Sequence, residues 1–196
     1  MASIPEWFKI LYALAVLAFM VVYWLRYGPR NFLWFSDIAL IGAVPAMWLE
    51  SPLISGTLAC MVLLPEVLWN VDYVLRIVLK RRITGLTEYM FDASIPRWLR
   101  AISLFHVPLP LVMIWLVVAY GYPSASLPVA AGTAAVVLAL SYLLSSREKN
   151  INWVFGLGRV QHRLPQPLYL ALLYLGFVLV VFLPTHWLLM RLFPSA

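Results

Sequence analysis

The chain has little charge. Asp, Glu, Lys and Arg make up 11% of its 196 residues, against 64% for the hydrophobic types. A soluble domain needs about a quarter of its residues charged to cover its surface, so a water-soluble globule is excluded. Cysteine is nearly absent as well. Cys60 is the single one; it closes no internal disulfide and fits no metal spacing. Histidine is limited to His106, His162 and His186. With no H-x-x-H or H-x-x-x-H pair among them, no metal site and no haem or other cofactor is expected. The N-terminus lacks the basic lead of a secretory signal, because Glu6 opposes Lys9 and the arginines Arg26 and Arg30 follow the first apolar run. Gly156-Leu157-Gly158-Arg159 lacks the flanking elements and glycine spacing of a phosphate loop. No internal repeat is visible, which weighs against the inverted-repeat transporter plan.

What is present is apolar length. The mean hydropathy is +0.90. Six runs of about 20 residues are long enough to cross the hydrocarbon core as helices. They fall near 7–26, 32–49, 53–79, 97–120, 125–146 and 166–192, parted by Gly28-Pro29, Ser51-Pro52, Gly121 to Pro123 and Pro165. The expectation is an all-α, polytopic bundle of six transmembrane helices forming one domain over 1–196. The run around Ala130, Ala131, Gly132, Thr133, Ala134 and Ala135, and the pair Gly56 and Cys60, carry the small residues that let membrane helices approach closely.

The net charge of +6 does not imply nucleic acid, because the basic residues sit in loops between apolar runs and form no basic domain. Their distribution orients the chain instead. Arg26 and Arg30 follow the first run. Arg76, Lys80, Arg81, Arg82, Arg97 and Arg100 lie about the third connection, and Arg147, Lys149, Arg159 and Arg163 about the fifth. Those are twelve of the fourteen Lys and Arg, all on one side. By the positive-inside rule that side is cytoplasmic, so both termini are extracytoplasmic. The long segments after helices 3 and 5 are cytoplasmic, and their basic residues are expected to meet anionic lipid head groups. The expected location is the cell inner membrane.

Ionisable groups at membrane depth each need a reason. Asp37, Glu66, Asp72, His106 and His186, with Asn70, are the candidates. Helical rise puts Asp37 roughly 8 Å, Asn70 about 13 Å, His106 roughly 14 Å and Glu66 about 20 Å from the cytoplasmic side. Asp37, Asn70 and His106 therefore share a layer, while Glu66, Asn70 and Tyr73 share a helix face. Asp72 has Arg76 four residues on and reads as a structural pair. Pro108 and Pro110 deprive the carbonyls of Leu104 and His106 of their helical donors, and Pro65 does the same beside Glu66. These breaks fit either a polar cavity or a set of interhelical hydrogen bonds.

The segments NFLWFSDIAL, PEVLWNVDY, GLTEYMFD, SLFHVPLP and NINWVFG carry a resemblance, over nearly the whole chain, to a group of bacterial membrane-associated proteins. That likeness implies no activity. Three short segments also resemble the YwaF-type integral membrane proteins, which are related to eukaryotic lipid acyltransferases and to androgen-induced hydrolases of fatty-acid esters. The match places Asp37 of FSDIAL on an early intramembrane Asp, His106 of SLFHV on a histidine after an aromatic run, and Asn152 of NINWVF on an Asn-aromatic pair. It implies that His106 is the general acid or base, and that Asp37 or Asn152 orients it or binds the head group. Those relatives have seven helices, where six are counted here.

Three functions follow from these residues. The first is a lipid- or ester-directed hydrolase or acyltransferase, with His106 and Asp37 catalytic and Asn70, Glu66, Asn152 and Tyr73 toward the substrate. The second is a small-solute transporter built on Glu66 and the kink at His106. The third is a non-catalytic membrane scaffold.

Overall fold

The computed structural model describes residues 3–193, so the outermost residues of both termini lie outside the described part. Among the described residues the regular structure is helical. Helix α1 spans Glu6–Tyr27, α2 Phe35–Trp48, α3 Pro52–Leu79, α4 Arg97–Ile102, α5 Leu109–Tyr120, α6 Ser126–Leu144, α7 Gln166–Gly176 and α8 Leu183–Leu192. Helix α4 runs through a 3-10 turn, Ser103–His106, toward α5, and a π-helical stretch, Phe177–Phe182, joins α7 to α8. Five segments are long and apolar enough to cross a membrane: Glu6–Tyr27, Pro52–Leu79, Arg97–Tyr120, Ser126–Leu144 and Gln166–Leu192. Leucines and valines are exposed along these helices, among them Leu11, Leu14 and Leu17 on α1. Apolar surface on this scale is stable against lipid rather than water, consistent with a multi-pass membrane protein.

The second expected span takes a different form. Gly28 ends α1 with φ 78°, its N–H bonded to the Trp24 carbonyl, and Pro29 opens a 3-10 turn over Pro29–Leu33. Trp34 is extended at ψ 135°, so α2 begins only at Phe35 and has 14 residues. Fourteen residues rise about 21 Å, short of the hydrocarbon thickness of about 30 Å. Its far end nevertheless returns to the level of the start of α1, where Lys9 Nζ meets Glu50 Oε1 at 2.7 Å.

Helix α3 is the centre of the bundle. It is capped by Ser51, whose Oγ accepts from Ile54 N–H, and Pro52 takes the first turn, where its missing N–H costs nothing. It packs against α2, α5, α6 and α8, and Ser55 to Leu63 are buried without interruption, as expected for a helix enclosed on all sides. Within lipid, packing rather than exclusion from water holds helices together. Gly56 illustrates this: a Cβ there would run into Ser126, at the start of α6, and Tyr122, in the connection before it. Ser126, Ala130, Ala134, Val137 and Ser141 form the buried stripe of α6, so the small-residue helix is a packing helix. Pro65 does not break α3, which continues through it. Helix α4 ends at Ile102, the chain crosses His106 as a 3-10 turn, and Pro108 and Pro110 stand at the start of α5.

The two long connections are structured. Asp72 accepts from Thr84 N–H at 2.9 Å, Thr84 Oγ1 at 2.7 Å, Thr87 N–H at 3.0 Å and Thr87 Oγ1 at 2.6 Å, and so folds the first connection back onto α3. The expected Asp72–Arg76 pair is not formed. Four donors from one loop saturate the carboxylate, and the Arg76 guanidinium lies 5.3 Å from the Phe91 ring centre instead. In the second connection Asn152, at φ 51°, is buried against Phe35 and Ser141.

Candidate functional site

His106 stands at the centre of a stacked aromatic column. Its ring lies 4.6 Å from Trp69 at 21° and 4.2 Å from Phe105 at 25°, and Tyr73 stacks on the other side of Trp69 at 5.1 Å. Both faces of the imidazole are thus covered. One edge is held as well: Nδ1 lies 2.8 Å from Glu66 Oε2. The side chains of His106 and Glu66 are 13% and 4% exposed, so the pair sits in a low-dielectric setting where each partner stabilises the other. No hydrogen-bond partner for Nε2 is seen among the described residues. With Glu66 as carboxylate, the proton resides on Nδ1 and Nε2 presents a lone pair, the arrangement a carboxylate imposes on a histidine base.

Asn70 completes the frame. Its Nδ2 donates to the carbonyl of His106 and to that of Glu66, each at 2.8 Å. Pro110 has no N–H to offer the His106 carbonyl, and the amide of Asn70 supplies the missing donor from a neighbouring helix. Ser103 precedes His106 by three residues on the 3-10 turn, where i and i+3 eclipse. Its Oγ lies 2.8 Å from the Tyr23 hydroxyl. Burial of the Tyr89 phenol pushes its pKa up.

The other expected site residues stand apart from this frame. Asp37, in the first turn of α2, accepts from Asn31 Nδ2 at 2.9 Å, and no hydrogen bond joins it to His106 among the described residues. Asn152 Oδ1 accepts from Phe35 N–H at 3.3 Å, while Nδ2 donates to the Leu33 carbonyl at 2.7 Å and to Ser141 Oγ at 3.1 Å. That amide clamps the second connection onto the start of α2. Cys60 lies 3.5 Å from the Phe182 carbonyl and is fully buried, in keeping with a packing role. His186 joins a separate group, its Nδ1 2.9 Å from the Tyr122 hydroxyl.

The pocket beside this frame is not the polar cavity that was one of the two expected alternatives. An apolar groove of about 760 Å³ runs between α1 and α5, lined by Phe8, Ala15, Phe19, Phe105, Val112 and Trp115 among others. Its volume is that of a small-molecule site. His106 does not line it. Phe105 does, and its ring also stacks on the imidazole. Sequence reasoning missed Trp69 and Phe105 as the walls of His106. The available signal was the aromatic residue beside each ionisable one: Trp69 three residues after Glu66, and Phe105 directly before His106.

Comparison of the chain with protein-family models, with curated proteins and with solved structures finds no match.

Proposed function

We propose that the chain crosses the cell inner membrane six times with both termini extracytoplasmic, and that it is a lipid- or ester-directed enzyme in which His106 is the acid–base group. The six-pass reading draws on the Lys9–Glu50 contact, which brings the end of α2 back to the level from which α1 set out. The 3-10 turn and α2 together cover 29–48, enough chain for a crossing. The side with twelve of fourteen basic residues is cytoplasmic. A cysteine placed at Ser3, with the native Cys60 buried, is expected to react with a membrane-impermeant maleimide in whole cells. Labelling only after lysis would reverse the orientation.

The enzymatic reading is carried by one observation: an imidazole fixed by Glu66 at Nδ1, stacked on both faces, with no partner at Nε2 among the described residues. Glu66, not Asp37, is then the orienting carboxylate. Nε2 takes a proton from water or an alcohol as its oxygen attacks the ester carbonyl. It returns that proton to the departing alcohol, so the old acyl C–O bond breaks as the new one forms, giving a carboxylic acid when water attacks or a new ester when an alcohol does, and the histidine ends unchanged. The resemblance to YwaF-type proteins implies the same role for His106. His106→Ala is expected to lower turnover of a lipid-ester probe about 10²–10⁴-fold in protein that still unfolds cooperatively. An unchanged rate would sink this reading.

A second reading has its own support. Asp37, Asp72 and Asn152 are all closed into hydrogen bonds within the protein, as in a bundle whose polar groups only hold helices together. In that case His106→Ala reduces thermal stability and no ester is turned over by the wild type.

A further inference from the structure

The groove has a charged end. Along α1 its lining residues run Phe8, Ala15, Phe19 and Val22, a stripe at helical spacing whose next member is Arg26. On the opposite wall the lining residue Ile102 is followed, one turn back along α4, by Trp98. The two stripes meet: the Arg26 guanidinium lies 5.0 Å from the Trp98 ring centre. Arg26 forms no ion pair among the described residues. Both residues are exposed, and a stacked guanidinium keeps its N–H edge free for a phosphate. At the far end Phe8 and Trp115 close together at 4.7 Å between ring centres.

We infer that this groove holds one acyl chain of an anionic phospholipid, whose phosphate is received by Arg26 over Trp98. The occupant follows from the chemistry of the two ends. The walls between them are apolar, which suits a hydrocarbon chain. The groove follows α1 for about 21 Å, enough for a chain that fills one leaflet, about 15 Å of the hydrocarbon core. Arg26, with no carboxylate partner among the described residues, stands where that chain's head group emerges, and Arg and Trp are the residues that favour the head-group level. The small side chains of Ala15 and Ala18 leave the space the chain occupies. This inference rests on the membrane-embedded reading of the bundle and not on the acid–base role of His106.

The test counts lipids retained by the purified protein. Wild type and variants are equilibrated with mixed micelles of phosphatidylglycerol and phosphatidylcholine carrying the same chains, and bound lipid is read by native mass spectrometry. The wild type is expected to keep one phosphatidylglycerol in preference to phosphatidylcholine. Arg26→Gln lowers that preference about tenfold, the loss of one charge-assisted contact. Arg191→Gln leaves it unchanged, although Arg191 is also stacked on a tryptophan, 3.9 Å from the ring centre of Trp187. The double variant Ala15→Leu, Ala18→Leu fills the groove from exposed positions and sheds both lipids. His106→Ala retains the lipid whatever its turnover, which separates this inference from the catalytic one. A preference that survives Arg26→Gln, or falls equally with Arg191→Gln, overturns the proposal, as does a filled groove that still holds lipid.

Discussion

Glu66 and Asp72 stand six residues apart on α3, both carboxylates and both buried, yet their surroundings differ. Asp72 is saturated: Thr84 and Thr87 give each of its oxygens an N–H and a hydroxyl. Nothing remains for a ligand, and the carboxylate serves to fold a connection. Among the described residues Glu66 accepts a single side-chain hydrogen bond, at one oxygen, from a histidine whose second nitrogen has no partner there. Its burial is offset by less, and its partner keeps a reactive atom. A buried acid with every lone pair occupied is a structural device, whereas one that leaves its partner half-used is a candidate for chemistry.

Replacing each acid by its amide sharpens the contrast. The largest effect on stability is expected from Asp72→Asn. Its NH₂ group would face a threonine N–H and hydroxyl; the hydroxyl can turn to accept, but the N–H is stranded at about 1–3 kcal/mol and the remaining bonds lose their charge assistance, a loss of about 2–5 kcal/mol. Thermal unfolding in detergent measures it, and faster proteolysis between Arg81 and Ile95 localises it. Asn70→Leu comes next. It strands the His106 carbonyl, costing about 1–3 kcal/mol, and loosens the turn that holds the imidazole, so turnover falls with stability. The smallest stability change belongs to Glu66→Gln. The amide still meets Nδ1, and the loss stays under about 1.5 kcal/mol, while turnover of the lipid-ester probe falls about 10²–10⁴-fold. If instead Glu66→Gln is as destabilising as Asp72→Asn and leaves turnover intact, the two acids are alike and the contrast fails.

Much of the bundle was legible because its determinants are local. Apolar length, Gly28-Pro29, Ser51-Pro52 and Gly121 mark helix ends wherever the helices later pack. The freed carbonyl at His106 was legible for the same reason, since a proline removes a known donor. Its new donor was legible only as a depth match, with Asn70 about 13 Å and His106 roughly 14 Å from one side. The Glu66–His106 contact was hidden by that same estimate, which set Glu66 some 6 Å deeper on a uniform α-helical rise. The 3-10 turn over Ser103–His106 rises about 2.0 Å per residue rather than 1.5. That carries His106 about 2 Å deeper, and a long glutamate side chain covers the rest. Asp37 is tied to His106 by depth and by the YwaF-type resemblance, neither of which reports helix rotation. Its rotation on α2 turns it to Asn31, and rotation is a property of packing. Asp72 was assigned to Arg76 by helical spacing, which cannot see two threonines arriving from a folded connection.

The bond from Asn70 to the His106 carbonyl spans 36 residues of sequence, yet it stands in for one that an ordinary helix would make within four. Positions 70 and 110 are therefore a single heritable trait. A lineage that replaces Pro110 with a residue bearing an N–H regains the local bond and releases position 70 from selection. A lineage that keeps the proline must keep a donor at 70, or pass through an intermediate with a stranded carbonyl. Descent would leave its mark as paired change at two sites on different helices, with the histidine between them constrained for its own reasons.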